Sequence, residues 1–442
     1  MKRLAFKHLV IAALVASAAL ASCGKNDKKG KLSRLDLGNA ATVLTASGGG
    51  SVTRSSLTKS ATESDMLFKI TSGGAVVEVS YYDDEGNLIT ETLSPVIYDI
   101  ENHDYFVITF NEYDYYKNLY LVRKSDGSVI GIEDVGMGHS TLANFQNLGH
   151  FAQDEKGNLY FQSSSPGHLH DISRVSKIEI SGSRATITHL TPDTEWVQFL
   201  VTVSAKGDVF YTAQTTDDVF TKVITSNGRV HNLSELIGIM HGWSSWRGLD
   251  GEVRFFHTDG SLAGSSINTV NINNNGDISI DSRPNYFWIN PSHLITFPNR
   301  VILVNVVGSG QYDWFLTEVE NPSNTPRTIN LAYDFPLSPD GMLHAFDVQT
   351  SDNHYYLHGK DAWEGGSSYL LKVNPLTDAF TELLALGVYD IQHFTVSRSD
   401  EVTFNAVRKS DGVSILGKFT STGQFQLIEE TNIDVTEMIS TR

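Results

Sequence analysis

The chain keeps a single cysteine, Cys23, in 442 residues. One cysteine excludes an intramolecular disulfide and supplies too few thiolates for a structural metal site, which leaves a free thiol, an intermolecular bridge or a covalent modification. No apolar run reaches the 18 or so residues of a spanning helix. Basic residues are scarce as well, 33 Lys and Arg against 51 Asp and Glu, and a field of that sign repels nucleic acid and anionic lipid surfaces. Helical periodicity is almost absent, the exception being a short helix-like stretch near "NLSELIGIM", 232–240. Catalytic signatures are missing too: no Gly-x-Ser-x-Gly, no His-Glu-x-x-His and no P-loop. "GMGHST" at 136–141 lacks the third glycine and following helix of a dinucleotide site.

What is present begins with the surroundings of Cys23. Lys2, Arg3 and Lys7 form a basic head, "LVIAALVASAALA" at 9–21 is uncharged and apolar, and small residues lead into the cysteine. This is the pattern of a secretory signal. The tetrapeptide Leu20, Ala21, Ser22, Cys23 resembles the lipobox of bacterial lipoproteins. The resemblance implies diacylglyceryl transfer to the Cys23 sulfur, cleavage before it and acylation of the new amine, with the mature chain held on the membrane by acyl chains. Gly24 after the cysteine resembles the outer-membrane sorting pattern, and "KNDKK" at 25–29 loosely resembles a surface-export signal of Bacteroidota, so the membrane face stays open. The three basic residues of the leader leave 30 against 51 acidic ones, a formal charge of −21 for the remainder.

Residues 23–64 are rich in Gly, Ser, Thr, Ala and Lys and read as a lipidated cysteine followed by a flexible linker. From Asp65 to the C-terminus the chain reads as short strands separated by turn signals. Two kinds of hairpin alternate, each recurring about every 50 residues. One turns at "SGGA" 72–75, "SDGS" 125–128, "SGSR" 181–184, "SNGR" 226–229, "NNGD" 274–277, "PSNT" 322–325, "PLTD" 375–378 and "STGQ" 421–424. The other turns at "ENHD" 101–104, "EKGN" 155–158, "AKGD" 205–208, "LDGE" 249–252, "FPNR" 297–300, "SPDG" 338–341 and "RSDE" 398–401. Gly, Asx and Ser at these positions supply positive φ and local side-chain bonds.

Two hairpins per period make a four-stranded unit that cannot bury both faces alone, and radial stacking solves that as an all-β propeller. Seven inner hairpins favour seven blades, with eight allowed by the extra outer hairpin. "LSPDGMLHAFDV" at 337–348 resembles one repeat of the WD40-like propellers of TolB-type periplasmic proteins.

With strands running from the axis outward, the short Gly turns share one rim, and the longer connections open on the other. The chain's six tryptophans map to that second rim or the strand ends beside it: Trp196, Trp243, Trp246, Trp288, Trp314 and Trp363. Tyr113, Tyr115, Tyr116, Tyr312, Tyr355 and Tyr356 fall there too. A rim dense in Trp and Tyr resembles glycan-stacking and protein-binding surfaces. The candidate binding residues are Tyr113, Tyr115 and Tyr116; Trp243, Trp246, Trp288 and Trp314; and Tyr355, Tyr356 and Trp363. The alternative for each is packing between blades. Two histidine clusters, His168 and His170 with Asp171, and Asp352, His354, His358 and Asp361, read as solvated or structural groups rather than metal ligands. The acidic pairs Asp83 with Asp84 and Asp217 with Asp218 read as turn residues.

The sequence therefore predicts a lipid-anchored, non-catalytic propeller of the outer membrane that presents its aromatic rim to a glycan or an envelope protein, with no cofactor or metal and no nucleic-acid partner. The alternative is a glycan-active hydrolase or lyase with its site in the axial pocket. A pocket lined by carboxylates favours the second, a flat aromatic rim the first.

Overall fold

A computed structural model describes residues 32–47 and, between 65 and 441, the strands and most short turns. Residues 1–31 and 48–64 lie outside the described residues, as do most longer connections, among them 111–118, 133–150, 165–172, 238–244, 258–265, 285–290, 308–312, 321–326, 331–342 and 362–367.

Eight four-stranded antiparallel sheets form an eight-bladed β-propeller. Blades 1 to 7 follow chain order, and their innermost strands are Pro95–Tyr98, Ala152–Gln153, Trp196–Val203, Ser245–Arg247, Pro291–Phe297, Leu343–Thr350 and Tyr389–Val396. Blade 8 closes the ring. Its innermost strand, Asp434–Ser440, comes from the C-terminus, and its other three, Ala40–Ser47, Asp65–Thr71 and Val76–Glu78, come from the N-terminal end. Thr42 pairs with Ser440 across the seam and with Ile70 on its other side.

This closure settles the blade number. The seam falls between the first and second strands of blade 8, so that blade has no inner hairpin, and the eight outer hairpins count the blades. It also moves the domain boundary. The stretch read as linker contains Ala40–Ser47, a strand paired on both edges, and a short strand, Leu32–Leu35, that pairs with Tyr81–Asp83 outside blade 8. Leu32–Leu35 also reaches blade 1: the Leu35 N–H donates to the Gly127 carbonyl at 2.9 Å. Gly127 has φ 72°, and a Cβ there would lie 2.1 Å from the Leu35 carbonyl oxygen, so only glycine fits under the strap.

Blade 6 differs from the sequence expectation too. Its inner hairpin turns at 351–354, between Leu343–Thr350 and Tyr355–Asp361. "SPDG" at 338–341 lies outside the described residues. Asx and Ser bonds shape the true turn: the Ser351 hydroxyl accepts from the His354 N–H at 2.9 Å.

The core is a set of wedges between blades rather than one centre. Ile295, Ile302 and Leu316 of blade 5 pack on Tyr355, Leu357 and Leu371 of blade 6. Phe210 and Val223 of blade 3 pack likewise on Val253 and Val270 of blade 4. Alternate residues of each strand feed the wedge on either side, the period-2 burial of a sheet covered on both faces. The one described helix is a single turn, Ser234–Ile237.

Candidate functional site

The innermost strand of each blade has neighbouring blades on its faces and its partner strand along its outer edge, so its remaining open side is the axis. At the short-turn rim this geometry leaves a cavity of about 530 Å³. It is built by an arc of four consecutive blades, 6, 7, 8 and 1, and lined among others by Asp347, Arg398, Ser440, Asp99, Asp104 and Lys124.

The charges are distributed across the arc. The Lys124 ammonium pairs with Asp99 at 2.7 Å. Arg398 meets Asp104 only at 3.9 Å, and both are well exposed, so that pair is weak and Arg398 remains open to a ligand. Arg123 is held by its own blade: Nε and Nη2 donate to the Tyr105 hydroxyl at 3.1 and 2.7 Å. His103 lines the cavity but is occupied, since its Nδ1 accepts from the Tyr105 N–H at 3.2 Å, and burial holds its pKa down.

On the same innermost strand of blade 8 as the cavity's Ser440 stands Glu437. Its side chain keeps contact with solvent. Burial pushes the Glu437 pKa up to about 7, the Met438 N–H opposing this and the Asp99 and Asp347 charges adding to it. Carboxyl groups from three blades thus lie within electrostatic reach of one another. A carboxyl raised in the folded chain contributes stability that is full below its unfolded value, near 4.5, and is lost as pH rises through about 7. Relative to Glu437→Gln, the wild-type melting temperature should therefore fall between those pH values and run parallel above them. Parallel melting curves across the whole range would show that Glu437 titrates as an ordinary exposed carboxyl.

These groups were not singled out in the sequence. Asp347, His393 and Glu437 each stand fourth from the end of the innermost strand in blades 6, 7 and 8. Aligning the repeats strand by strand would have shown that periodic placement; motif searches do not, because the residues are 46 and 44 positions apart.

The aromatic candidates divide. Trp246 is 1% exposed, and its Nε1–H donates to Glu320 Oε1 at 2.8 Å, fastening blade 4 to blade 5. Tyr355 and Tyr356 are fully buried, one in the wedge between blades 5 and 6 and the other in that between 6 and 7. Because the blade 6 turn falls at 351–354, both tyrosines also start their strand at the short-turn rim, opposite the rim assigned from the sequence. These three therefore offer no stacking face. Trp314 lies in a blade 5 strand, Asp313–Glu320, at its long-connection end. Tyr113, Tyr115, Tyr116, Trp243, Trp288 and Trp363 lie outside the described residues, and so does Cys23. Trp196 opens the first strand of blade 3 on the long-connection rim and is 49% exposed.

Of the histidine clusters, His168, His170 and Asp171 lie outside the described residues. His354 binds Asp400 through Nδ1 at 2.9 Å, and His358 is buried against Phe394 with Nε2 at 3.2 Å from the Ser368 hydroxyl. Among the described residues no group of His, Cys, Asp and Glu could hold a metal ion. Asp83 is a turn residue, accepting the Glu85 and Asn87 N–H groups at 3.0 and 2.8 Å.

No family model and no curated protein matches the chain. Solved structures do resemble it. It is similar to dipeptidyl peptidase 4 of Porphyromonas gingivalis at 10% identity and TM-score 0.46, over 78% of this chain and 54% of that one, so it spans about half that protein's length. A putative 6-phosphogluconolactonase from Bacteroides fragilis is similar at 13% identity and TM-score 0.39, covering 78% of this chain and 96% of that one. Streptogramin B lyase is similar at 15% identity and TM-score 0.37, covering 76% and 97%.

Proposed function

We propose that the protein is a lipid-anchored lipoprotein of the outer membrane whose propeller binds a polar, glycan-type ligand at its axis. The observation that carries the binding reading is the 530 Å³ cavity with Asp99, Asp347 and the under-paired Arg398 around it, a volume in the range of small-molecule sites. Mixed charges around one space suit a neutral or zwitterionic polar ligand. The long-connection rim is the face for a larger glycan or an envelope protein, with Trp196 as its exposed described aromatic and Tyr113, Tyr115, Tyr116, Trp243, Trp288, Trp314 and Trp363 as further candidates.

The lipobox at Leu20–Cys23 supports the anchor. Since Leu32 already belongs to the folded domain, eight residues separate it from Cys23, a reach of about 30 Å at most. Cys23→Ser should release the protein from the membrane fraction, because acyl chains are its attachment. Retention of the Ser variant through a carbonate wash would remove the anchor from this reading. Binding is tested on that soluble chain with a panel of neutral and charged oligosaccharides: wild type binds, and Arg398→Ala with Asp347→Asn weakens it at least tenfold. A panel with no binder would end the axial-ligand reading.

A second reading has its own support. A carboxyl whose pKa burial raises to about 7, with Asp99 and Asp347 nearby, has the character of a general acid in glycoside cleavage. In that case Glu437→Gln stops release of reducing ends from a bound oligosaccharide while leaving its binding intact.

A further inference from the structure

In five blades the innermost strand carries at least one residue more than its partner. The ladder skips Gln198 between Val197 and Phe199 and Val201 between Leu200 and Thr202 in blade 3, and Ser292 between Pro291 and His293 in blade 5. It skips His344 in blade 6, Gln392 in blade 7 and Thr436 in blade 8. A bulge takes its extra residue out of the pairing, bends the strand and re-aims side chains, and bulges recur beside functional sites. Of the six skipped residues, Val201 is buried in the apolar wedge between blades 3 and 4, and the other five are hydrogen-bonding types, none of them a carboxylate.

Away from the strand ends, exposure on an innermost strand is exposure to the axis. Gln392 and Thr436 are exposed and Gln198 is half-buried. Gln392 donates to Asp390 Oδ2 at 2.8 Å, and the Thr436 hydroxyl shares a hydrogen bond of 2.9 Å with Thr45. Each keeps further capacity, since an amide has two donors and two acceptor lone pairs and a hydroxyl has two acceptor lone pairs. Thr436 immediately precedes Glu437, and His344 lies three residues before Asp347, so the bulges stand on the long-connection side of the acidic groups. Ser292 takes the corresponding place in blade 5 by register.

We propose that Gln198, Gln392 and Thr436 form a neutral hydrogen-bonding collar at the axis, which admits an uncharged, hydroxyl-rich ligand of pyranose type from the long-connection rim toward the acid-lined cavity. This rests on the axial-ligand reading above and names its ligand class and its entrance. Hydroxyl groups of a sugar ring exchange donors and acceptors with amides and hydroxyls without desolvating a charge, whereas an ionic ligand would gain nothing from such a layer.

The test is calorimetric titration of the soluble Cys23→Ser chain with cellotriose, maltotriose and chitotriose as neutral probes. At least one should bind, and Gln392→Leu and Thr436→Val, each made singly at an exposed position, should each weaken it about tenfold while the variant stays folded by circular dichroism. Gln198→Leu serves as the variant in a third blade should either fail to fold. If a neutral probe binds and responds to Arg398→Ala and Asp347→Asn but not to the collar variants, the cavity reading stands and the collar is overturned. Binding confined to charged oligosaccharides overturns the collar alone, and binding of neither class overturns both.

Discussion

Removing residues 24–47 abolishes the folded domain, whereas removing 24–31 leaves its melting temperature unchanged. The longer deletion takes out Ala40–Ser47, which pairs with Asp65–Thr71 on one edge and with Asp434–Ser440 on the other. Without it, the C-terminal strand has no partner, two long edges are exposed and the ring opens, a state that aggregates. Val43, Leu44 and Ala46, all essentially buried, leave holes in two wedges. An intermediate deletion of 24–38 removes the strap and its buried Leu32, Leu35 and Leu37. At about 2 kcal/mol for each buried leucine that costs roughly 6 kcal/mol. It also frees Lys69, whose ammonium donates to the Asp36 carbonyl at 2.7 Å. Circular dichroism melting and size-exclusion chromatography of the three truncations read the series. Equal stability for the 24–31 and 24–47 deletions would mean that the seam strand is dispensable and the closure wrong.

The same strand shows where sequence reasoning stopped. "AATVLTAS" is small and Thr-rich, and it follows Gly38 and precedes "GGG" at 48–50, so its composition matches a linker even though its pairing is non-local. The eight outer hairpins were legible because a tight turn is a local event written in Gly, Asx and Ser. Blade 6 broke the pattern because its inner turn uses Ser351, Asp352, Asn353 and His354, without a glycine. Aromatic residues marked strand ends correctly but not their direction: Trp246 and Tyr356 were read as surface, and each instead spends its polar atom on a carboxylate of the next blade. The axial cavity left no local trace, since its walls come from residues 99 to 441 and meet only when the ring closes.

Asp400→Ala should cost about 3 kcal/mol, the low end for removing one partner of a buried charge network, because Lys372 and His354 keep some access to solvent. Asp400 sits in the inner turn of blade 7 at φ 68°, a conformation that Asp tolerates and Ala resists. It is 9% exposed and gathers four donors from blade 6: the Ser351 hydroxyl, His354 Nδ1 at 2.9 Å, the Tyr356 hydroxyl at 3.1 Å and Lys372 Nζ at 3.4 Å. Burial raises its carboxyl, but Ser351, Lys372, His354 and Tyr356 outweigh that and hold the pKa below the usual range. A depressed carboxyl contributes stability above its unfolded value, near 3.8, and loses it as pH falls through the folded value. The gap between wild type and Asp400→Ala, measured by urea unfolding, should accordingly be widest near neutrality and narrow in acid. Asp400→Asn, which keeps the shape and tolerates the same φ, should lose less. Ser351, His354 and Asp400 are also the three residue types of a nucleophilic triad, and the geometry denies that role. The Ser351 hydroxyl points to the carboxylate rather than to a histidine nitrogen, so no base stands ready to take its proton. Any hydrolytic activity of the chain should therefore survive Ser351→Ala in proportion to the protein that stays folded; a complete loss of turnover in a fully folded Ser351→Ala variant would make this network a catalytic site instead of a rivet between blades.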